Sequence, residues 1–266
     1  MKETLLGKKV HTPKGHDPSI LHPLERPRRE IPMFGFDVWR AYELAWLNTK
    51  GKPEVGILEI VYPYASRCII ESKSLKLYLN GLSYVRFPSK EALTDTIRAD
   101  LAGVLDTPWL IVNLMGASAF ASLRWQAQID GVCIDSQDIE ISQYSHAPGI
   151  LAAEVERVSE TLFSELLRSN CPITKQPDWG MVLIEYTGPR INRASLLGYI
   201  CSYRDHEGFA ESCCEQIFMD IWKKCSPEKL LVHCLYTRRG GIDINPLRAS
   251  FSINPKERPS LRLIRQ

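Results

Sequence analysis

A weak internal repeat constrains the fold of this chain more than any other feature of its sequence. Gly56-Ile-Leu-Glu-Ile-Val-Tyr-Pro63 has the apolar, β-branched make-up of a strand, and Gly180-Met-Val-Leu-Ile-Glu-Tyr186 has it again 124 residues later. A helix-like stretch follows each, residues 72–79 in the first half and 194–203 in the second. Phe87 and Phe209, 122 residues apart, each precede a second helical pattern, marked by Leu93, Ile97 and Leu101 and by Ile217, Met219 and Ile221. Each half then closes on a strand, residues 108–115 and 230–236. Two copies of strand, helix, helix, strand with short links predict two α+β modules, each an antiparallel sheet packed on a helix pair.

The repeat sets the organisation of the rest. Residues 1–32 are rich in Pro, Lys, Arg and His without a sustained period and read as an N-terminal arm. Dense aromatic and aliphatic residues from Phe34 to Trp46 open the first module, expected over 33–150, and the second is expected over 151–266. Val155, Val158, Leu162 and Leu166 recur at helical spacing, which predicts an amphipathic helix over residues 154–168, stopped by Pro172.

Composition excludes several functional classes. Lys and Arg number 33 against 31 Asp and Glu, a net charge of +2 that gives no case for a dedicated nucleic-acid binder. The basic patches at residues 26–29 and 256–265 leave weak RNA contact open. Eight cysteines without a C-x-x-C are neither a disulfide scaffold nor a zinc ribbon. No apolar run approaches the ~20 residues of a spanning helix, and the N-terminus lacks the apolar core of a secretory signal. The expectation is a soluble, cytoplasmic protein with free thiols and no membrane partner. Neither GxGxxG nor GxxxxGK[ST] occurs, so any nucleotide is held without those phosphate loops.

Four segments carry candidate chemistry, and each also has an ordinary structural reading. Cys171 lies in SNCPITKQPDWG, flanked by Pro172 and Pro177, with Asp178 seven residues on. The prolines prevent one helix from aligning the two, so the pairing needs a loop that doubles back. A thiolate beside a carboxylic acid suits addition to an electrophilic carbon, the acid protonating the adjacent heteroatom. Pro177 and Trp179 stand next to Asp178 and could desolvate it; the structural alternative is a buried thiol and a turn-capping Asp. Glu71-Ser72-Lys73 opens a helix and offers donors for an anion, or is an ordinary helix start. Arg238-Arg239-Gly240-Gly241 is a basic turn suited to phosphate, or a solvated hairpin. Glu211 can accept two parallel hydrogen bonds from a guanine-like edge, or serve as a first-turn helix acid. Cys213, Cys214, Cys225 and Cys234 read as core thiols, and His206 and His233 as packed or surface histidines.

Taken together, ESKSLKLYLN (71–80), CIDSQDIEI (133–141), SNCPITKQPDWG (169–180) and YTRRGGIDINP (236–246) resemble the NADPH-dependent 7-cyano-7-deazaguanine reductases, in their longer two-module form. The resemblance runs from about Phe34 to Gln266. It implies tandem tunnelling-fold modules, a pocket where modules meet, and a homodimer. It implies Cys171 as nucleophile toward a nitrile carbon, forming a thioimide, and Asp178 as proton donor. Ile70, Glu71, Ser72 and Glu211 fall on substrate contacts; Ser72, Lys73, Arg239 and Gly240 fall on contacts to NADPH, of which two are consumed per turnover. No metal is implied. The family carries a His immediately before the glutamate where this chain has Ala210, whose methyl neither transfers a proton nor hydrogen-bonds. His206, four residues earlier, is a conceivable substitute. Two other readings stay open: a pterin-type cyclohydrolase, which needs a metal ligand set, and a non-catalytic purine- or RNA-binding module.

Overall fold

Apolar runs punctuated by Pro and Gly place the strands, and stripes at i, i+4 place the helices. The structure, a computed structural model, describes residues 13–27, 29–120, 129–257, 261–262 and 265–266. Residues 1–12 of the expected arm, and Arg28 of the basic patch, lie outside the described residues. The described residues divide into two compact units: 13–27, 29, 38–120 and 238–243 form one, and 30–37, 129–237, 244–257, 261–262 and 265–266 form the other. The architecture is mixed α+β, with mainly antiparallel strand pairing.

In chain order the first half contains β1 (Pro23–Glu25), β2 (Phe34–Leu47), β3 (Pro53–Pro63) and β4 (Cys68–Ile70), then α1 (Ser72–Leu82), α2 (Lys90–Leu105), β5 (Ile111–Gly116) and the short α3 (Ala117–Phe120). β3 and β5 pair antiparallel from Gly56↔Gly116 to Val61↔Ile111. Pro23–Glu25 of the arm form β1, which pairs antiparallel with β4. α2 buries Leu93, Ile97, Leu101 and Leu105, one stripe at i, i+4 spacing, and Ser89 caps its start by accepting from the Ala92 N–H at 3.2 Å. Four fully buried leucine-sized side chains contribute about 1.5–3 kcal/mol each, against ~1 kcal/mol for the cap, so packing holds this helix in place.

The second half contains β6 (Val132–Cys133), β7 (Ala153–Ser164), β8 (Arg168–Asn170), β9 (Pro177–Ile191), α4 (Arg193–Cys201), α5 (Ala210–Cys225), β10 (Lys229–Tyr236) and β11 (Ile242–Ala249). β9 pairs antiparallel with both β7 and β10, and β10 with β11. The predicted order of strand, helix, helix, strand is present in both halves. α2 and α5 each have 16 residues, start 120 residues apart, and end on a left-handed residue, Asp106 at φ 47° and Ser226 at φ 48°. A side chain at such a position costs about 1–2 kcal/mol that glycine avoids. Ser226→Gly is therefore expected to raise the melting temperature by roughly 2–8 °C; an unchanged or lower midpoint in a thermal melt counts against this.

The helix expected over residues 154–168 does not form: this stretch is β7, followed by β8. Val155, on the apolar face of that helix, is 97% exposed. The inward face of β7 is instead Val158, Glu160, Leu162 and Ser164, a period of two. Two of these residues are polar, which hides the strand in the hydropathy pattern. They are accommodated because Glu160 accepts from the Tyr186 hydroxyl at 2.7 Å and from Arg193 at 2.8 Å, while the buried Ser164 Oγ accepts from the Leu166 N–H. Glu156 likewise pairs across the sheet with Arg190. Cross-strand partners on β9, remote in sequence, override a local helical pattern. Among the described residues, no helix is long and apolar enough to cross a membrane.

Candidate active site

Cys171 stands at the tip of a hairpin between β8 and β9, not after a helix. The register is Arg168↔Trp179, Ser169↔Asp178 and Asn170↔Pro177. The Cys171 N–H donates to the Gln176 carbonyl and the Lys175 N–H donates to the Cys171 carbonyl, both at 2.9 Å, closing the turn with Lys175 at φ 58°. This is the doubling back that the prolines require. Because side chains alternate across a hairpin, Cys171 returns to the face of Ser169 and is the diagonal neighbour of Asp178. The thiol-bearing residue is buried, 6% exposed.

The same alternation removes one expectation. Pro177 and Trp179 flank Asp178 in sequence but project to the other face, where the Arg168 guanidinium lies 5.5 Å from the centre of the Trp179 indole. The surroundings of Asp178 come instead from Cys213 of α5, whose thiol interacts with Ser169, with Tyr236 of β10 and with Asp178. Burial, the largest effect, pushes the Cys213 thiol up to about 12. Ser169, Cys213 and Tyr236 are thus a buried, uncharged floor beneath the hairpin.

Glu211 is in the first turn of α5, 2% exposed, next to Ala210 at the first helical position. Phe209 is the N-cap residue and supplies no side-chain cap. This helix start is tied to the hairpin through the backbone. The Asn170 N–H donates to the His206 carbonyl at 2.8 Å, and the Gly208 N–H donates to the Asn170 carbonyl at 3.1 Å. Cys171, Asp178 and Glu211 are therefore carried by segments tied to one another within the second unit.

The other candidates gather within the first unit. Ile70 ends β4, paired with Pro23 of β1, and the Glu71 N–H donates to the His22 carbonyl. Glu71 is the N-cap of α1, its carboxylate accepting from the Lys73 N–H at 3.0 Å and the Ser74 N–H at 2.7 Å. The helix-start N–H groups considered for an outside anion are thus held by Glu71 itself. Arg239, Gly240, Gly241 and Ile242 form a tight turn: the Arg239 N–H donates to Ile242 and the Ile242 N–H to Arg239. Gly240 at φ 61° and Gly241 at φ 78° supply the left-handed backbone the turn needs. Lys76 of α1 donates to the Gly240 carbonyl and to Glu43, the latter at 2.8 Å. Ser72 and Lys73 precede Lys76 by four and three residues, so one helix face brings them toward the Arg239–Gly240 turn.

This cluster fits a polyanionic dinucleotide. Lys73, Lys76 and Arg239 supply positive charge around an exposed glycine turn, with Glu43 as a counter-charge on Lys76. Among the described residues, no group of three His, Cys, Asp or Glu side chains is placed to hold a metal.

With this geometry in place, comparison with known proteins is decisive. Residues 17–111 match the family model described as "Nitrile reductase, 7-cyano-7-deazaguanine-reductase N-term", and residues 177–254 match "QueF-like protein". A relative from Legionella pneumophila (strain Lens), named NADPH-dependent 7-cyano-7-deazaguanine reductase, is 45% identical over 98% of this chain and 94% of its own. This chain belongs to that reductase family. A relative of the same name from Paraburkholderia xenovorans (strain LB400) is 41% identical over 100% of this chain and 99% of its own. A solved structure, the archaeosine synthase QueF-Like in the apo form, is 19% identical, covers 37% of this chain and 95% of that one, and has a TM-score of 0.31.

Of the residues the sequence points to, Cys171, Asp178 and Glu211 lie in the second unit and Glu71 in the first, and three further features of their surroundings carry little sequence signal. The backbone tie at Asn170 leaves no mark in side-chain types. Lys76 looked like any solvated helix lysine. His146 has its partner, Asp220, 74 residues away.

Proposed function

We propose that this chain reduces the nitrile of 7-cyano-7-deazaguanine to a primary amine with NADPH, through a covalent adduct on Cys171. The observation that supports the reading is a hairpin whose register sets Asp178 opposite Ser169, two residues before Cys171, in a chain related over nearly its whole length to reductases of that name. The Cys171 sulfur adds to the nitrile carbon: a C–S bond forms, one C–N π bond breaks, and nitrogen takes a proton from Asp178. NADPH supplies hydride, two electrons at a time, so four electrons require two cofactor molecules in succession. After the first hydride arrives, the C–S bond breaks to free the thiolate and leave an imine. Reduction of the imine and a further proton on nitrogen complete the amine; two hydrides and two protons are consumed in all. Glu211 reads as a deazaguanine contact, and Ile70, Glu71 and Ser72 read as substrate contacts; Lys73, Arg239 and Gly240, again with Ser72, hold the cofactor phosphates. Tandem tunnelling-fold modules over 33–150 and 151–266, a cytoplasmic location and a homodimer belong to the same reading. The matched lengths and left-handed ends of α2 and α5 support the duplication.

The test is NADPH oxidation with and without 7-cyano-7-deazaguanine; oxidation that does not depend on the nitrile rejects the reading. Ala210 sharpens it. A methyl group at the start of α5 leaves adduct formation to Cys171 and Asp178, but offers no proton to later steps. Ala210→His is expected to raise steady-state turnover by about 10-fold or more with an unchanged rate of adduct formation. Equal turnover in both chains overturns that assignment.

A further inference from the structure

The second unit contains a polar cluster that the reaction above does not use. Asp220 of α5 accepts from the Tyr199 hydroxyl at 2.6 Å and from the Gln216 amide at 2.9 Å, and its carboxylate lies 2.6 Å from His146 Nε2. The Tyr199 and Tyr203 hydroxyls are 2.9 Å apart. His146 is thereby fixed in place, and its ring lies 5.5 Å from that of His206, which also meets Tyr203 edge-on at 5.0 Å. His206 is the residue whose carbonyl holds the Asn170 N–H, one position before Cys171. Its ring folds back over Gly208: a Cβ added there would sit 3.1 Å from His206 Nε2 and 3.0 Å from the Cys213 sulfur. The imidazole and the thiol thus close on the glycine whose N–H completes the tie to Asn170.

We propose that His206 is a positioning residue for the nucleophile: its neutral ring, seated against the His146–Asp220 pair, locks residues 206–208 onto Asn170 and so fixes Cys171 and the start of α5, and protonation of the ring releases this lock. The proposal rests on the reductase reading for the role of Cys171. The groups facing His206 are His146 from the segment before β7, Tyr203 from the turn after α4, Asp220 and Cys213 from α5, and Glu207 beside it, whose carboxylate pairs with Lys175; on β8, Arg168 donates to the Arg204 carbonyl. Burial, and then His146, hold the His206 imidazole below its ordinary value, while Asp220 and Glu207 oppose them. A group whose folded-state value is lowered contributes its stabilisation above the ordinary imidazole range and loses it as the pH falls. The lock is therefore closed at neutral pH and opens in acid.

Three measurements test this. In the unaltered chain, amide exchange at Asn170 and Gly208, corrected for intrinsic rates, is expected to accelerate at least about 10-fold between roughly pH 7.5 and 5.5, with Val232 in the sheet core as the unchanged reference. Protection that does not change with pH overturns the proposal and needs no variant. His206→Ala is expected to slow formation of the Cys171 adduct with 7-cyano-7-deazaguanine by about 10–100-fold, since small misplacements of reacting groups cost that much. The same variant is expected to speed alkylation of Cys171 by iodoacetamide, read by peptide mass. A chain that has merely lost activity does not show opposite changes in these two rates. His206→Gln, polar but not titratable, is expected to abolish the pH dependence of exchange at Asn170 and Gly208; retention of that dependence overturns the proposal. If the unaltered chain forms no nitrile adduct, the reductase reading fails, whereas the exchange and alkylation measurements still decide whether the lock exists.

Discussion

Cys171→Ala is expected to abolish NADPH-dependent reduction, by roughly 10⁴-fold or more, and to eliminate the covalent adduct altogether. Incubated with 7-cyano-7-deazaguanine alone, the unaltered chain should gain the mass of one substrate molecule and the variant none. No neighbouring thiol can take over. The Cys213 thiol interacts with Asp178, yet burial pushes it up to about 12. At neutral pH the thiolate, the only form that attacks, is then scarce. Cys213 is also fully buried under Ser169 and Tyr236, with no approach for a planar heterocycle. An adduct of undiminished yield in Cys171→Ala would remove the hairpin from the chemistry and with it the proposed mechanism.

The second large effect concerns stability. Arg248 of β11 is wholly buried and donates to Asp37 of β2 at 2.7 Å, to Glu215 of α5 at 2.9 Å and to the Leu247 carbonyl at 2.9 Å. Both carboxylates are buried as well. Each ion alone would be costly to desolvate; together, two negative charges and one positive share the cost, and their attraction holds the guanidinium charged despite its burial. Arg248→Met fits a similar volume but leaves two carboxylates close together without the cation between them. The expected loss is about 3–5 kcal/mol, and hence a fall of roughly 6–20 °C in the melting temperature. A loss below ~1 kcal/mol, read from denaturant unfolding, would show that the pair of acids is neutralised by other means. Because α5 also bears Glu211 and Cys213, adduct formation should weaken as the melting point falls.

The difference between what was legible and what was not follows from the range of the interactions involved. The stripe Leu93–Ile97–Leu101 was readable because a helix is closed by bonds four residues apart, so its buried face is written within one local stretch. The β9 and β10 strands were readable for a similar reason, being apolar on both faces. β7 was not. Its inward face includes Glu160 and Ser164, whose burial is made tolerable by Tyr186 and Arg193, 26 and 33 residues from Glu160, and by a turn amide. At the site, the spacing of Cys171, Pro172, Pro177 and Asp178 announced a doubling-back loop. It did not announce that strand alternation turns Trp179 away from Asp178 and brings Cys213 to it.

The weak repeat therefore determined a good deal by itself: two copies of one α+β element order, with the chemistry-bearing segments at strand and helix ends. Short-range periodicity and turn chemistry suffice for that, because they depend on residues within a few positions of one another. The tertiary structure alone decided which groups meet. Asp220 lies 74 residues from His146, Gly240 lies 164 from Lys76, and Asp37 lies 211 from Arg248. Hydrogen bonds and ion pairs of that kind stabilise a chain only after the fold has brought their partners within about 3 Å, and nothing in local sequence fixes that distance.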